Sequence, residues 1–345
     1  MAEIRGITYG SVSKSRGGFL IGEKVHTGIL LSMTILTVCG VIQGQGKRDS
    51  PSFGLSIALS NAPLARRQQE ELAKAVHAHE YVHAEKLLLS EINSHPHSSE
   101  LLRILGGVFF LDGKYLNSAI AYKKAEALAP LDAPSRYTLA MAYIVLKHPD
   151  WARPELEKLE RLDPHSPLYP YWLSRLDYDA MRFKQAIEEA RQAIKVDSNF
   201  MKAYDSLGLC YEALGQYDKA VSAYRQALQL NQKDQAPSPW PCLNLGALLV
   251  KLGHLDEAKS VLAEALRIDP RFPSAHFELG LLLEREGKYR ASLIELQKAI
   301  QFDPSYADPY FILGRIYQRL GEKEKAERAL GKFHRLKSST LDTGS

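Results

Sequence analysis

Five consecutive residues, His79-Glu80-Tyr81-Val82-His83, spell H-E-x-x-H. On one continuous α-helix the two imidazoles share a face and can ligate zinc, with the glutamate between them as general base for peptide hydrolysis. Residues 65–95 contain no glycine or proline, so such a helix is allowed there. His77, His95 and His97 stand near as candidate third ligands, and no characteristic spacing singles one out. Nothing else in the chain has the pattern of an active site. Gly44-Gln45-Gly46-Lys47 is too short for a phosphate loop and lacks the following hydroxyl, and there is no Gly-x-Ser-x-Gly elbow. The pair Glu188-Glu189 reads as a solvated helix surface.

Whether the histidines can act together depends on the elements that carry them. The clearest pattern is residues 201–232, two short amphipathic helices joined at Gly215 and Gln216. Tyr204, Leu207, Gly208 and Tyr211 fall at i, i+3, i+4 and i+7, one helical face with a small residue where another helix can approach. Ala220, Tyr224 and Ala227 form the answering stripe. A hairpin this small cannot bury both faces alone, so copies must lie alongside.

The copies can be counted. Ala84, Ser118, Ala152, Ala186 and Ala220 are 34 residues apart, the step to Ala258 is 38, and Ser292 and Ala326 resume at 34. Pro96, Pro130 and Pro164 keep the same spacing, as do Pro270 and Pro304, each stopping a second helix. Gly113, Gly215, Gly253, Gly287 and Gly321 mark the turn inside the hairpin. Leu-Gly pairs recur at 105–106, 207–208, 245–246, 279–280 and 313–314. The pair becomes Leu139-Ala140 and Leu173-Ser174 in two weaker repeats and Glu71-Leu72 in a degenerate first one. There the turn residue is Lys147, Met181 or His79. This order of residues over 34 positions resembles the tetratricopeptide repeat family, across residues 65–337.

The resemblance implies an all-α fold, a right-handed superhelical solenoid of about eight helix-turn-helix repeats, whose first helices line a concave groove that takes a peptide or a partner helix. In that register His79 falls at a turn, and Tyr81 answers Tyr115, Tyr217 and Tyr289, so the helix breaks between the two histidines. The leading expectation is therefore a non-catalytic protein-interaction scaffold, with no cofactor and no metal site. A zinc metallopeptidase and an RNA-binding helical array are the alternatives. Lys and Asn on successive repeats, with which some family members clamp a C-terminal carboxylate, are missing. The groove positions instead mix aromatics with arginine, a composition typical of interface anchors. Tyr137, Tyr171, Arg175, Tyr178, Asp205, Asn244, Phe277, Phe311 and Arg315 are the candidate partner-binding residues, with Tyr171, Arg175 and Tyr178 on one face of a single first helix.

The net charge of +4 is local. Residues 1–48 hold six basic and two acidic side chains, which leaves 38 of each sign beyond them. A neutral array lacks the electrostatic footprint of a nucleic-acid groove. Of the three cysteines, Cys39 lies in the leader, and Cys210 and Cys242 read as small buried hydrophobes. Residues 28–42 form an uncharged apolar run of ~22 Å as a helix against a ~30 Å hydrocarbon core. Residues 1–46 thus read as an export signal or membrane anchor, placing the array outside the cytoplasm, periplasmic in a bacterium. A lipoprotein signal at Cys39 is a further alternative. Residues 47–64 read as a linker and 338–345 as a disordered tail. Between Asn231 and Pro241 the four extra residues should bulge as a loop, with Trp240 beside it as a local plug or, as the alternative, a contact point.

Overall fold

The structure is a computed structural model that describes residues 63–342. The expected export signal or anchor and nearly all of the linker lie outside them. Among the described residues there are sixteen α-helices in eight hairpins. The pairs are α1 Arg66–His77 with α2 Tyr81–Ser94, α3 Ser99–Leu111 with α4 Tyr115–Leu128, α5 Ala133–Val145 with α6 Pro149–Leu162, and α7 Leu168–Asp179 with α8 Phe183–Val196. They continue as α9 Met201–Ala213 with α10 Tyr217–Asn231, α11 Trp240–Leu252 with α12 Leu255–Ile268, α13 Pro273–Arg285 with α14 Tyr289–Phe302, and α15 Asp308–Arg319 with α16 Lys323–Asp342. Each helix packs on the next in the chain, and successive first helices from α7 to α15 also touch. The chain is an all-α solenoid.

Every hairpin turns the same way. The residue two beyond the first helix, or one beyond it at Gly253, is left-handed, and the N–H after it donates to the carbonyl five residues back, as Lys114 does to Phe109 at 2.9 Å and Arg182 to Asp177 at 2.8 Å. That bond closes the helix end. Five of the eight turn residues are glycines, and the other three are His79, Lys147 and Met181, with φ of 59°, 60° and 57°.

Within a hairpin, each Leu-Gly glycine faces a large side chain sixteen residues on. A Cβ built on Gly208 would lie 2.4 Å from the Tyr224 ring, and one on Gly246 2.6 Å from Leu262. In the weaker repeats the same register pairs Ala140 with Leu156 and Ser174 with Ala190, all buried. The Ser118 and Ser292 hydroxyls donate across the hairpin to the Gly106 and Gly280 carbonyls, both at 2.7 Å. In the α7–α8 hairpin the bond is reversed, from Ser174 Oγ to the Ala186 carbonyl at 2.8 Å. Ion pairs act within and between the repeats: Arg136 meets Glu126 of the previous hairpin and Glu155 of its own, and Arg153 of the previous hairpin and Arg182 converge on the buried Asp177.

The inserted residues after α10 form a loop closed by Asn231, whose amide donates to the Ser238 carbonyl and accepts from the Ser238 N–H, both at 2.8 Å. Trp240 packs edge-on against Phe272, ring centroids 4.9 Å apart, as the plug expected from sequence. Cys210 and Cys242 are buried thiols. One boundary is corrected: α16 runs to Asp342, past residue 337 where the sequence suggested a disordered tail. Three earlier second helices stop at Asp-Pro pairs, 163–164, 269–270 and 303–304, and no proline lies within residues 323–342 to stop α16 sooner.

Candidate functional site

The H-E-x-x-H segment does not lie on one helix. α1 ends at His77, His79 takes a left-handed φ of 59°, and α2 begins at Tyr81. The Tyr81 hydroxyl lies 2.6 Å from His79 Nδ1, while His83 Nε2 lies 3.2 Å from Glu71 Oε1 on α1. The two imidazoles face different partners, so the shared helical face that zinc ligation requires is not formed. Among the described residues no group of three or more His, Cys, Asp or Glu side chains converges as a metal site.

The first-helix candidates fall into two groups. Tyr171, Arg175 and Tyr178 do share a face of α7, but residues 168–178 are buried on every side. Tyr171, 4% exposed, meets Trp172 and Phe200 at centroid distances of 5.3 and 5.7 Å. The Tyr137 hydroxyl accepts from Trp172 Nε1 at 2.9 Å, and Tyr178 packs on Phe183. Phe277, 1% exposed, closes on Tyr306, and the half-buried Phe311 lies against Phe333 of the final helix. Helical spacing identifies which residues share a face. It does not reveal that rings of this size fill the space between helices 8–10 Å apart. These aromatics are mortar between repeats in the structure and offer little surface to a partner.

The polar candidates behave otherwise. Asn244 Nδ2 on α11 donates to both carboxylate oxygens of Asp205 on α9, each at 2.9 Å. Burial pushes Asp205 up to about 6, against the pull of that bond and of the nearby Arg175 guanidinium. Arg175 is 9% exposed, lies 5.8 Å from the Tyr178 ring centroid, and makes no hydrogen bond or ion pair with a described residue. Arg315 is bound to Glu284. Further along the row, Lys251 of α11 reaches Glu212 of α9 at 3.4 Å.

One residue that the sequence reading passed over belongs with these. Glu278 on α13 sits at the register position of Asn244 and is 7% exposed, with no hydrogen-bonding or ionic partner among the described residues. Burial, then Glu212 and Asp308, push its carboxyl up to about 8, while Arg285 pulls it down. The signal in the sequence is an acid two residues before a helix-packing glycine, where the other repeats with that glycine carry Ile104, Ser206, Asn244 or Ile312.

Tetratricopeptide repeat models match residues 171–237, 211–279 and 307–338, and a further TPR repeat model matches 285–321. The chain is 34% identical over 78 residues to small glutamine-rich tetratricopeptide repeat-containing protein 2 of Mycosarcoma maydis, a match spanning 23% of this chain and 22% of that protein. It resembles in fold a tetratricopeptide repeat protein from Parabacteroides merdae ATCC 43184, with a TM-score of 0.60 and 15% identity over 76% of this chain and 98% of that one. The APC/C hetero-tetramer Cut9-Hcn1 gives a TM-score of 0.58 at 16% identity, covering 90% of this chain and 57% of that one.

Proposed function

Because the chain is a tetratricopeptide repeat protein, we propose that it is a non-catalytic scaffold whose concave row of first helices, α7 to α13, holds a peptide or a partner helix. The observation that carries this reading is the state of Arg175. An arginine nine-tenths buried beside aromatic rings, with no hydrogen bond or ion pair among the described residues, keeps donors that a bound segment can engage. The Asp205–Asn244 pair continues the polar strip along the same row. A zinc peptidase would need the helix that breaks at His79, and an RNA-binding array would need a basic face that a balance of 38 bases and 38 acids does not provide. The test is capture of a partner segment on the purified array, followed by loss of that binding in Arg175→Gln with the melting temperature unchanged.

The proposal extends to location. Residues 28–42 are apolar enough to direct export but short for a full span, so the mature chain should begin between about Val41 and Lys47. Among the described residues no helix is long and apolar enough to cross a membrane. N-terminal sequencing of the protein from its native host checks this. A chain still beginning at Met1 in a soluble cytoplasmic fraction would contradict it.

A further inference from the structure

Among the described residues of the first-helix row, Glu278 is a buried acid that makes no direct pair. Glu278 is buried on α13 without a hydrogen bond or ion pair among the described residues. Three other titratable groups lie close enough to act on its charge. Glu212 comes from α9, Asp308 from the start of α15, and Arg285 from its own helix. Tyr306, in the loop before α15, also feels the Glu278 charge. His276, nearby on α13, is turned away, its two ring nitrogens against Glu295 and the Pro270 carbonyl at 2.7 and 3.1 Å.

The cations around Glu278 are already engaged. Lys251 pairs with Glu212 at 3.4 Å, Lys337 with Asp308 at 3.0 Å, and the Arg285 guanidinium donates to the Val250 carbonyl. Glu212 of α9 and Asp308 of α15 thus both act on Glu278 of α13, which makes no hydrogen bond or ion pair among the described residues. A buried carboxylate without a counter-charge is costly, and the same low-dielectric setting makes a supplied counter-charge strongly attractive. A lysine or arginine side chain entering there gains a direct partner in Glu278 and the added field of Glu212 and Asp308. An acidic or apolar side chain would gain neither.

We propose that Glu278 is the docking position for a basic side chain, lysine or arginine, of the segment that occupies the concave face. This rests on the groove reading above and adds the chemical class of the residue the groove selects. A carboxyl held protonated near neutral pH must release its proton when the cation arrives, so binding at pH 7 should be linked to proton release.

The experiment selects phage-displayed random peptides of about twelve residues on the full chain, a length that at ~3.3 Å per residue can follow four helices spaced ~9 Å apart. The expected result is a consensus with lysine or arginine at one fixed position. Replacing that residue by norleucine should weaken binding about tenfold or more to the unaltered chain and have little effect on binding to Glu278→Gln. A folded Glu278→Gln that keeps the full preference for the basic residue overturns the inference and leaves the groove reading standing. Selected peptides indifferent to both Glu278→Gln and Arg175→Gln overturn both. Should Glu278→Gln fail to fold, calorimetry of the unaltered chain in phosphate and Tris at pH 7 decides the matter: proton release on binding supports the inference, and its absence contradicts it.

Discussion

Asn244 holds both oxygens of the Asp205 carboxylate from the next first helix, each at 2.9 Å, although the inserted loop lies between them in the chain. The inserted loop is closed by the buried Asn231, and α9 and α11 on either side of it still touch. A polar strip can therefore run unbroken from Arg175 through Asp205 and Asn244 to Glu278. Its members are held by different repeats, so small changes in the stacking angle alter their spacing.

Glu278 makes stability depend on pH with a definite sign. Its carboxyl is held up to about 8 in the folded chain, against an ordinary value near 4.3 when unfolded. Between those values the folded state binds more protons, so this residue's contribution to stability falls as pH rises through that window and is lost above it. Glu278→Gln should accordingly be more stable than the unaltered chain at pH 8.5 by roughly 1–3 kcal/mol, with little difference at pH 4.5. Paired thermal melts across this range measure it, and a difference that does not grow with pH would show the carboxyl to be well satisfied.

The turns give a second prediction. Lys147 and Met181 adopt the left-handed conformation that glycine supplies in five other hairpins, and Met181 is 74% exposed. A left-handed non-glycine residue costs ~1–2 kcal/mol, partly offset by the extra freedom glycine has when unfolded. Lys147→Gly and Met181→Gly should each stabilise the array by roughly 0.5–1 kcal/mol in urea unfolding. Loss of stability in both would mean that their side chains make contacts of greater value.

The histidine motif gives a third. His83 meets Glu71 at the surface and His79 lies in a turn, so purified protein should hold no stoichiometric zinc, and His83→Ala should change stability by less than ~0.5 kcal/mol. Metal analysis and melting curves check both. Tightly bound zinc that disappears in His83→Ala, with peptide cleavage that needs Glu80, would overturn the scaffold reading.

Much of the fold was legible because the repeat is written in residues with steric consequences. Gly208 is small because Tyr224 fills its place, and the 34-residue spacing of the small second-helix residues follows the hairpin itself. Even the substitutions at His79, Lys147 and Met181 kept the turn in place, since its position is set by the helices on either side. The candidate site was less legible. Spacing put Tyr171 and Tyr178 on the concave side of α7, but their burial depends on how closely Trp172, Phe200 and Phe183 from neighbouring elements crowd them, which no periodicity encodes. Glu278 escaped notice because an acid on a helix surface is ordinary in sequence. The influence of Glu212 and Asp308 on it exists only once α9, α13 and α15 are brought together.

The most direct test of the groove is calorimetric titration of a captured partner segment into the unaltered chain, Arg175→Gln, and Trp151→Ala as a control on the exposed face of α6. Tyr171→Ala is unsuitable for this purpose, since removing a buried aromatic should cost ~3–5 kcal/mol of stability. Arg175→Gln should weaken binding by at least about tenfold, close to 1.4 kcal/mol, with an unchanged melting temperature, and Trp151→Ala should bind normally. Full affinity in Arg175→Gln together with loss in Trp151→Ala would place the partner on the second helices and contradict the concave site.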